Sequence, residues 1–540
     1  MASPAPPQPA RRPRRGPLQE GPTMTGRCIG SVRIALALVA AIALAFTTSA
    51  VAQRTLTVGM KELPLSFDYG YDWSEAGVWL QSNVGDCLIW RDRVDADYVP
   101  WLASGWEQLD DTTWRIFLRE GVSFTNGEPF DADAAQFWFD RIRNDPQMLP
   151  HRQWNFVDTV EVVDPLTIEV RTVAPEPAFL NKMAGTGCQV VPPVYTAEVG
   201  PEGFGQRPIG TGPFVLVEWV RDERVVMEAN PDYFQGAPNI DRLVFVAIPE
   251  DSTRVAALLT GSVDLILNPP PQDWARIEDA GLVVDSFLSN FVMHLELRAG
   301  PSSTYPEWDG PTQDPRVRQA IAYAIDRATI IDVIGGLGLP TQTRVIPPMI
   351  GVHPDLYGNV GTYDPERARA LLAEAGYAGE PVIVQSSSIF LLQREVSEIV
   401  GAMLEAVGIN VDLRIIDPTT FREQVYFTYR NDEIYFFATK NTFQDPWITM
   451  LGYMSDRGER VGWTGPEADE VDRLARAAEV NMDPEERAAQ YRRIQELIMA
   501  ENGGPLLSLY VMDETMGRTP NVEFLRGPDG WLWFGTARID

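Results

Sequence analysis

Histidine, lysine and cysteine are scarce in this 540-residue chain, with three of each. His151, His294 and His353 stand far apart, so each reads as an ordinary surface or core residue. There is no His-Glu-x-x-His, Gly-x-Ser-x-Gly, Cys-x-x-Cys or Walker loop. That removes the helical zinc site, the nucleophile elbow, the thiol redox pair and the phosphate loop. Carboxylates are abundant instead, 75 against 45 basic residues, and among so many no chosen pair argues for glycoside chemistry. A solvated acidic surface explains them. The formal charge of −30 excludes a nucleic-acid binder acting through a basic surface and disfavours adhesion to anionic lipid. Nothing argues for a cofactor.

The apolar run IALALVAAIALAF, residues 34–46, is 13 residues long, too short to span a bilayer. Arg27 and Arg33 precede it and Ala50-Val51-Ala52 follows, the pattern of a signal peptide cut before Gln53. Cys28 lies ahead of the run, so no lipid anchor is indicated. The Arg-rich stretch before Met24 reads as an extended leader or an overcalled start. Residues 1–52 hold six arginines and one glutamate, which leaves the remainder at a formal charge of −35. The expectation is an exported, periplasmic or extracytoplasmic protein. Its two remaining cysteines, Cys87 and Cys188, suggest a disulfide, the alternative being two separate buried thiols.

At this length one core does not suffice, so two or more domains are expected. RTLTVGM, 54–60, alternates like a strand. Residues 96–130 read as short strands and turns with a reversal at Asn126-Gly127. DADAAQFWFDRIR, 131–143, reads as a helix capped by Asp131. Three later helices open with Asp-Pro, at Asp314, Asp364 and Asp483; aspartate caps the free N–H groups and proline fits the first turn. The first of these is read as one helix, DPRVRQAIAYAIDRATI. Gly376 closes the second. PVIVQ (381–385), a helix over 391–407 and INVDLRII (409–416) form a βαβ unit with parallel strands. The chain is thus α/β in its C-terminal half and richer in β structure before it, with no Gly/Ser linker; crossing strands are expected to join the domains.

Binding chemistry is better represented than catalysis. Ser386, Ser387 and Ser388 leave a strand end ahead of a helix, where ligands dock in α/β sheets. A plain hydrophilic connection would account for them as well. EIYFFATKNTFQDPWITML, 433–451, runs from a strand into an aromatic, polar loop that offers Phe437, Thr439, Lys440, Asn441 and Thr442. A core strand explains its apolar part equally well. LPLSFDYGYDW, 63–73, adds Phe67 and Tyr69 as second-rank candidates. The turn GTGPF, 210–214, has no Gly-Lys-Ser/Thr and leads into a strand, so its glycines serve a tight turn, not a phosphate cradle.

GTGPF begins the block that identifies a family. The segment 207–265 contains Pro-Ile-Gly-Thr-Gly-Pro-Phe, Asn-Pro-Asp-Tyr-Phe-Gln-Gly-Ala-Pro and Leu-Thr-Gly-Ser-Val-Asp. WRIFLREGVSFTNGEPFDADA (114–134), VRQAIAYAIDR (317–327) and YDPERARALLAEAGY (363–377) accompany it. Together they resemble the extracellular solute-binding proteins of family 5, the dipeptide-, oligopeptide- and nickel-binding components of ABC importers, over nearly all of the chain after residue 53.

The resemblance implies a two-lobed periplasmic-binding-protein-like α/β fold with an extra domain in the N-terminal half, three in total. Domain I would be 53–86, 208–289 and 508–540, domain II 87–207, and domain III 290–507. It implies a non-catalytic monomer that delivers a small-molecule or peptide ligand to ABC importer permease subunits. A secreted hydrolase and a sensing protein uncoupled from import are the alternatives. Peptide-binding members carry an aspartate for the peptide ammonium after the aromatic strand, where this chain has Lys440, Asn441 or Thr442. An ammonium beside Lys440 would be repelled, so the expectation is a ligand with an anionic or hydroxyl-rich group. Nickel is disfavoured because no histidine is expected near these loops.

Overall fold

Two long strands, Val283–Leu297 and Leu506–Arg518, pair antiparallel from Val283–Arg518 to Glu296–Leu506. The computed structural model describes residues 53–540 except 73, 93–95, 451–452, 454–459, 525 and 528–529; the leader, its cleavage site and Trp73 lie outside the described residues. The long pair forms the middle of an eleven-stranded sheet. On one side follow Leu265–Leu267, Thr55–Met60, Arg242–Ala247, Arg224–Ala229 and Phe214–Val220. On the other lie Ile434–Lys440, Val382–Ser386 and Val411–Ile415, and Gly338–Pro340 pairs with the second long strand. The register shifts between Leu288 and Val292, where the ladder passes from one half of the sheet to the other. A bulge there bends the strand and sharpens its twist.

Each half carries its own core. Leu56, Val58 and Met60 alternate inward on the first strand and pack with Phe214, Val225, Leu243 and Phe245. In the other half Val382, Val384, Ile434 and Phe436 face Val317, Ile321, Val396 and Val400 from helices. A separate four-stranded antiparallel sheet (Ala103–Asp110, Thr113–Leu118, Thr167–Thr172, Val157–Asp164) packs with helix Ala132–Asn144 over Trp138, Phe139, Ile168 and Val170.

Local chemistry explains the element ends. Asp131 accepts from the Ala134 amide, Asp314 from Arg316, Asp364 from Arg367, and Asp483 from Glu485 and Glu486. The helix expected from Asp314 is in fact two, Pro315–Ala324 and Arg327–Val333. Asp326 adopts extended backbone and caps the second through the Ala328 and Thr329 amides. A second aspartate cap inside an apolar-periodic run thus competes with helix continuation and wins. The βαβ unit is present: Val382–Ser386 and Val411–Ile415 are parallel neighbours, with helix Gln393–Ala406 between them in sequence.

The GTGPF turn docks on residues 83–86. Gly212 donates its amide to Val84 O at 2.9 Å, and Phe214 donates to Asn83 O at 3.0 Å. A Cβ on Gly210 would collide with the Val84 carbonyl, so glycine is required there by close approach. The Thr211 hydroxyl donates to Asp86 at 2.8 Å, joined on that carboxylate by Trp101 Nε1 at 2.8 Å and the Tyr233 hydroxyl at 3.0 Å. Cys87 and Cys188 are joined by a disulfide that closes a separation of 101 residues.

Reducing that bridge should cost about 4–5 kcal/mol, the chain-entropy figure for a loop of roughly 100 residues. Urea unfolding with and without reductant measures the difference, and an unchanged midpoint would contradict it. Asp86 gives a second expectation. Burial pushes its carboxyl from 3.8 up to about 6, against the pull of its three donors. The folded state therefore holds this proton more tightly than the unfolded chain, and the associated stability is lost as pH rises through about 6. Asp86→Asn should flatten the pH dependence of unfolding free energy between about pH 4 and 7 by on the order of 1–3 kcal/mol.

Candidate functional site: the cleft beside Lys440

A cleft of about 670 Å³ opens between the two halves of the large sheet. One wall comes from Met60–Glu62, helix residues Glu75, Ala76 and Trp79, and the segment around Leu267–Gln272. The other comes from Ser388–Glu395, Pro418 and Arg422. Its lining holds four basic side chains (Lys61, Arg254, Arg394, Arg422) and four acidic ones (Glu62, Glu75, Asp251, Glu395). In a strongly acidic protein this lining is charge-balanced.

The two-residue period of strand Ile434–Lys440 puts Lys440 on the face of Phe436 and Ala438, and Thr439 on the face of Tyr435 and Phe437. At the strand end the Lys440 ammonium enters a cage. Nζ donates to Glu75 Oε1 at 3.1 Å and lies 3.6 Å from Glu514 Oε1. It stands 4.8 Å from the Phe291 ring centre and 5.6 Å from that of Trp79. Arg526 pairs with the same Glu514 and donates to Gly530 O at 3.0 Å, and Trp79 Nε1 donates to that carbonyl at 2.9 Å. Gly530 has φ +74°, and a Cβ there would lie 3.2 Å from Nζ; glycine leaves room for the ammonium. Glu75 and Trp79 line the cleft as well, so the cage stands at its edge.

On the opposite face a buried carboxylate holds the strand. Glu296 accepts from Arg344 Nη1 at 3.0 Å, from the Tyr453 hydroxyl at 3.0 Å and from the Tyr435 hydroxyl, with Arg460 at 3.7 Å. Burial alone would push its pKa up; Arg460, the His294 hydrogen bond and Arg344 overcome that and hold it at about 2. Arg344 reaches on to Thr439 Oγ1 at 2.7 Å. The loop after the strand is tied down too. Asn441 Nδ2 donates to Asp445 O at 2.6 Å, and Asp445 accepts two bonds of 2.7 Å from Arg487. Arg91 and Asn181 hold Phe443 O, and the Thr186 hydroxyl donates to that of Thr442 at 2.8 Å.

The residues singled out by sequence separate into three groups. Ser388, exposed, lines the cleft, and Lys440 sits at its edge. Ser386 and Ser387 are fully buried, one accepting from the Ser397 hydroxyl and the other donating to Ile416 O, so they brace the strand end. Phe437 is a core residue with Phe421 and Tyr435, and Asn441 and Thr439 are held by protein partners. Phe67 packs edge-on against Trp219 in the first core, and Tyr69 is buried as well; neither lines the cleft.

Two expectations need correction. Lys440 is not an open cationic receptor for an anion, because Glu75 and Glu514 already surround it. A histidine is also near: His294 pairs with Phe437 across the sheet. It is fully buried, with one ring nitrogen 2.9 Å from Val292 O and the other 3.3 Å from Glu296, so both nitrogens are engaged. Glu75, Trp79, Phe291, Glu514, Arg526 and Gly530 were missed. The one sequence signal was Glu514, an acid inside the apolar run LLSLYVMDETMG, since buried charges occur where they are paired.

Glu296→Gln should cost about 3–5 kcal/mol in urea unfolding at pH 7, since it leaves two guanidinium groups around a buried neutral amide. A loss under about 1 kcal/mol would contradict this account of the network.

A family model described as bacterial extracellular solute-binding proteins, family 5 Middle, matches residues 97–458. A glutathione-binding protein of Salmonella paratyphi A is 28% identical over 455 residues, 81% of this chain and 85% of the relative. Di/tripeptide-binding protein 2 of Pseudomonas aeruginosa is 28% identical over 496 residues, 84% of this chain and 90% of the relative. Among solved structures, the ABC transporter substrate-binding protein CtaP of Listeria monocytogenes superposes with TM-score 0.79 at 20% identity, covering 90% of this chain and 99% of that one. With two thirds of its length matched by the family model, the chain belongs to the bacterial extracellular solute-binding proteins of family 5.

Proposed function

We propose that the protein captures a small solute in the cleft beside Lys440 and delivers it to the permease of an ABC importer without turning it over. The observation that carries this reading is the 670 Å³ cleft, walled from both halves of the sheet that the two long strands join. That volume is typical of small-ligand pockets. Rotation about the strand pair, eased by the register shift at Leu288–Val292, would open and close the walls as hinged binding domains do. With this reading goes a division into domain I (53–86, 208–289, 508–540), domain II (87–207) and domain III (290–507). The long pair carries the chain across between Leu288 and Val292, opposite Asp513 and Val511, a few residues beyond the boundary drawn at 507, and the four-stranded sheet falls within domain II.

The balanced lining of the cleft favours a zwitterionic or polar neutral solute over a strongly charged one. Relatives named for glutathione and for di- and tripeptides support a peptide-like compound. Export through the segment at 34–46, with a mature chain beginning near Gln53, fits delivery outside the cytoplasm.

Native protein purified from the periplasm should release a small solute on denaturation, identified by mass spectrometry. Returned to ligand-free protein at a hundredfold excess over its dissociation constant, that solute should add about 2.7 kcal/mol of stability. It should also leave the incubation chemically unchanged. Turnover of the solute, or no solute bound and no stabilisation across a peptide library, would overturn the reading.

A further inference from the structure

We propose that Lys440 is a specificity-determining residue: its ammonium fills a cage at the cleft edge that is built for an ammonium, and so bars solutes that would place a free primary ammonium there. The chemistry of the cage supports this more directly than a role for Lys440 as an anion receptor. Two carboxylates, Glu75 and Glu514, and two aromatic faces, Trp79 and Phe291, converge on Nζ. Carboxylates together with ring faces are what attract a compact cation. An anion approaching Lys440 would meet Glu75, the more exposed of the two groups, while Glu514 answers the ammonium from the buried side. Among the described residues Arg526 offsets Glu514 from the other side, and the Lys440 ammonium is already matched by carboxylates before any solute arrives.

The fit of the cage is specific as well. Gly530, with φ +74°, leaves 3.2 Å between its absent Cβ and Nζ. Its carbonyl is held by Trp79 and Arg526, which fixes the cage floor. Glu75 and Trp79 also face the cleft. A solute in the cleft therefore abuts the cage, and the tethered ammonium competes with any ammonium the solute brings. Accepted solutes are those whose end nearest Lys440 is acylated, cyclised or otherwise free of a primary amine. This inference rests on the cleft being the solute site, and it names the chemical class of solute accepted there.

The test is rescue of Lys440→Ala by a small amine. K440A should be destabilised. Ethylammonium chloride at millimolar concentration should raise its melting temperature saturably, by about 1–2 °C, while potassium chloride at equal ionic strength should not. The parent protein, its cage filled, should respond equally to both salts. If K440A does not fold on its own, refolding yield in the two salts is the readout. Discrimination is read with dialanine and N-acetyl-dialanine, whose ratio of dissociation constants should move at least about tenfold toward dialanine in K440A. Absence of ethylammonium-specific rescue, or a ratio unchanged by the substitution, overturns the proposal. The rescue needs no natural solute, so its failure leaves the importer reading standing. Successful rescue with no solute bound and no stabilisation across a peptide library would overturn the importer reading and with it the specificity role, leaving only the cage's affinity for an ammonium.

Discussion

The antiparallel pairing of Val283–Leu297 with Leu506–Arg518 is the constraint on which the rest of the structure depends. These strands are far apart in sequence, so closing the ladder costs loop entropy that short hairpins avoid. In return the pair gives both halves of the sheet a common spine. Thr55–Met60 reaches it through Leu265–Leu267, and Ile434–Lys440 reaches it directly. The end of the latter strand, Lys440, pairs in register with Phe291, within the stretch between Leu288 and Val292 where the register of the long pair shifts. Lys440 therefore sits where the two halves meet. The strand beside the spine thus ends on a residue that meets Glu75 and Trp79 on one side and Phe291 of the spine on the other.

Charge is handled differently outside and inside. The surface carries the acidic surplus, which self-repulsion tolerates in water. Inside, several carboxylates are answered by cations: Glu296 by Arg344 and Arg460, Asp445 by Arg487, Glu514 by Arg526 and Lys440. Removing one partner of such a pair is costly because the other is left buried. The pairs join elements that are distant in sequence, so they select one arrangement of strand ends and loops. Thr439 shows the consequence. Arg344, fixed on Glu296, reaches the Thr439 hydroxyl and thereby orients the strand end that presents Lys440.

Local features were legible in the sequence because their causes are local. Aspartate caps at 131, 314, 364 and 483, the parallel βαβ unit and the GTGPF turn depend on neighbours within a few residues or on simple periodicity. The split after Ala324 was missed although its cause, Asp326, is local too; the continuous apolar pattern concealed it. The cage was not legible. Lys440 was noticed, but its partner Glu75 is 365 residues away, and no spacing rule links the two. For the same reason Phe67, Ser386 and Phe437 carried the residue types of a pocket while belonging to cores and strand ends. Composition near a strand terminus says that polar and aromatic groups are present, not which way the final pleat turns them.

The scarcity of lysine gives the Lys440 cage added weight. Only three of the 45 basic residues are lysine, and two of those are enclosed in the same way. Lys182 Nζ lies 2.6 Å from Glu176, 4.2 Å from the Phe156 ring centre and 4.8 Å from that of Trp447. Arginine, used almost everywhere else in the chain, spreads its charge over a planar fork and seeks two acceptors in one plane. It holds Asp445 and Glu296 in that manner or from several sides. A cage of ring faces closed by a glycine suits a compact ammonium on a thin stem, and a guanidinium in place of Lys440 would press on Gly530. Lysine is retained where shape, and not charge alone, decides what can occupy the position.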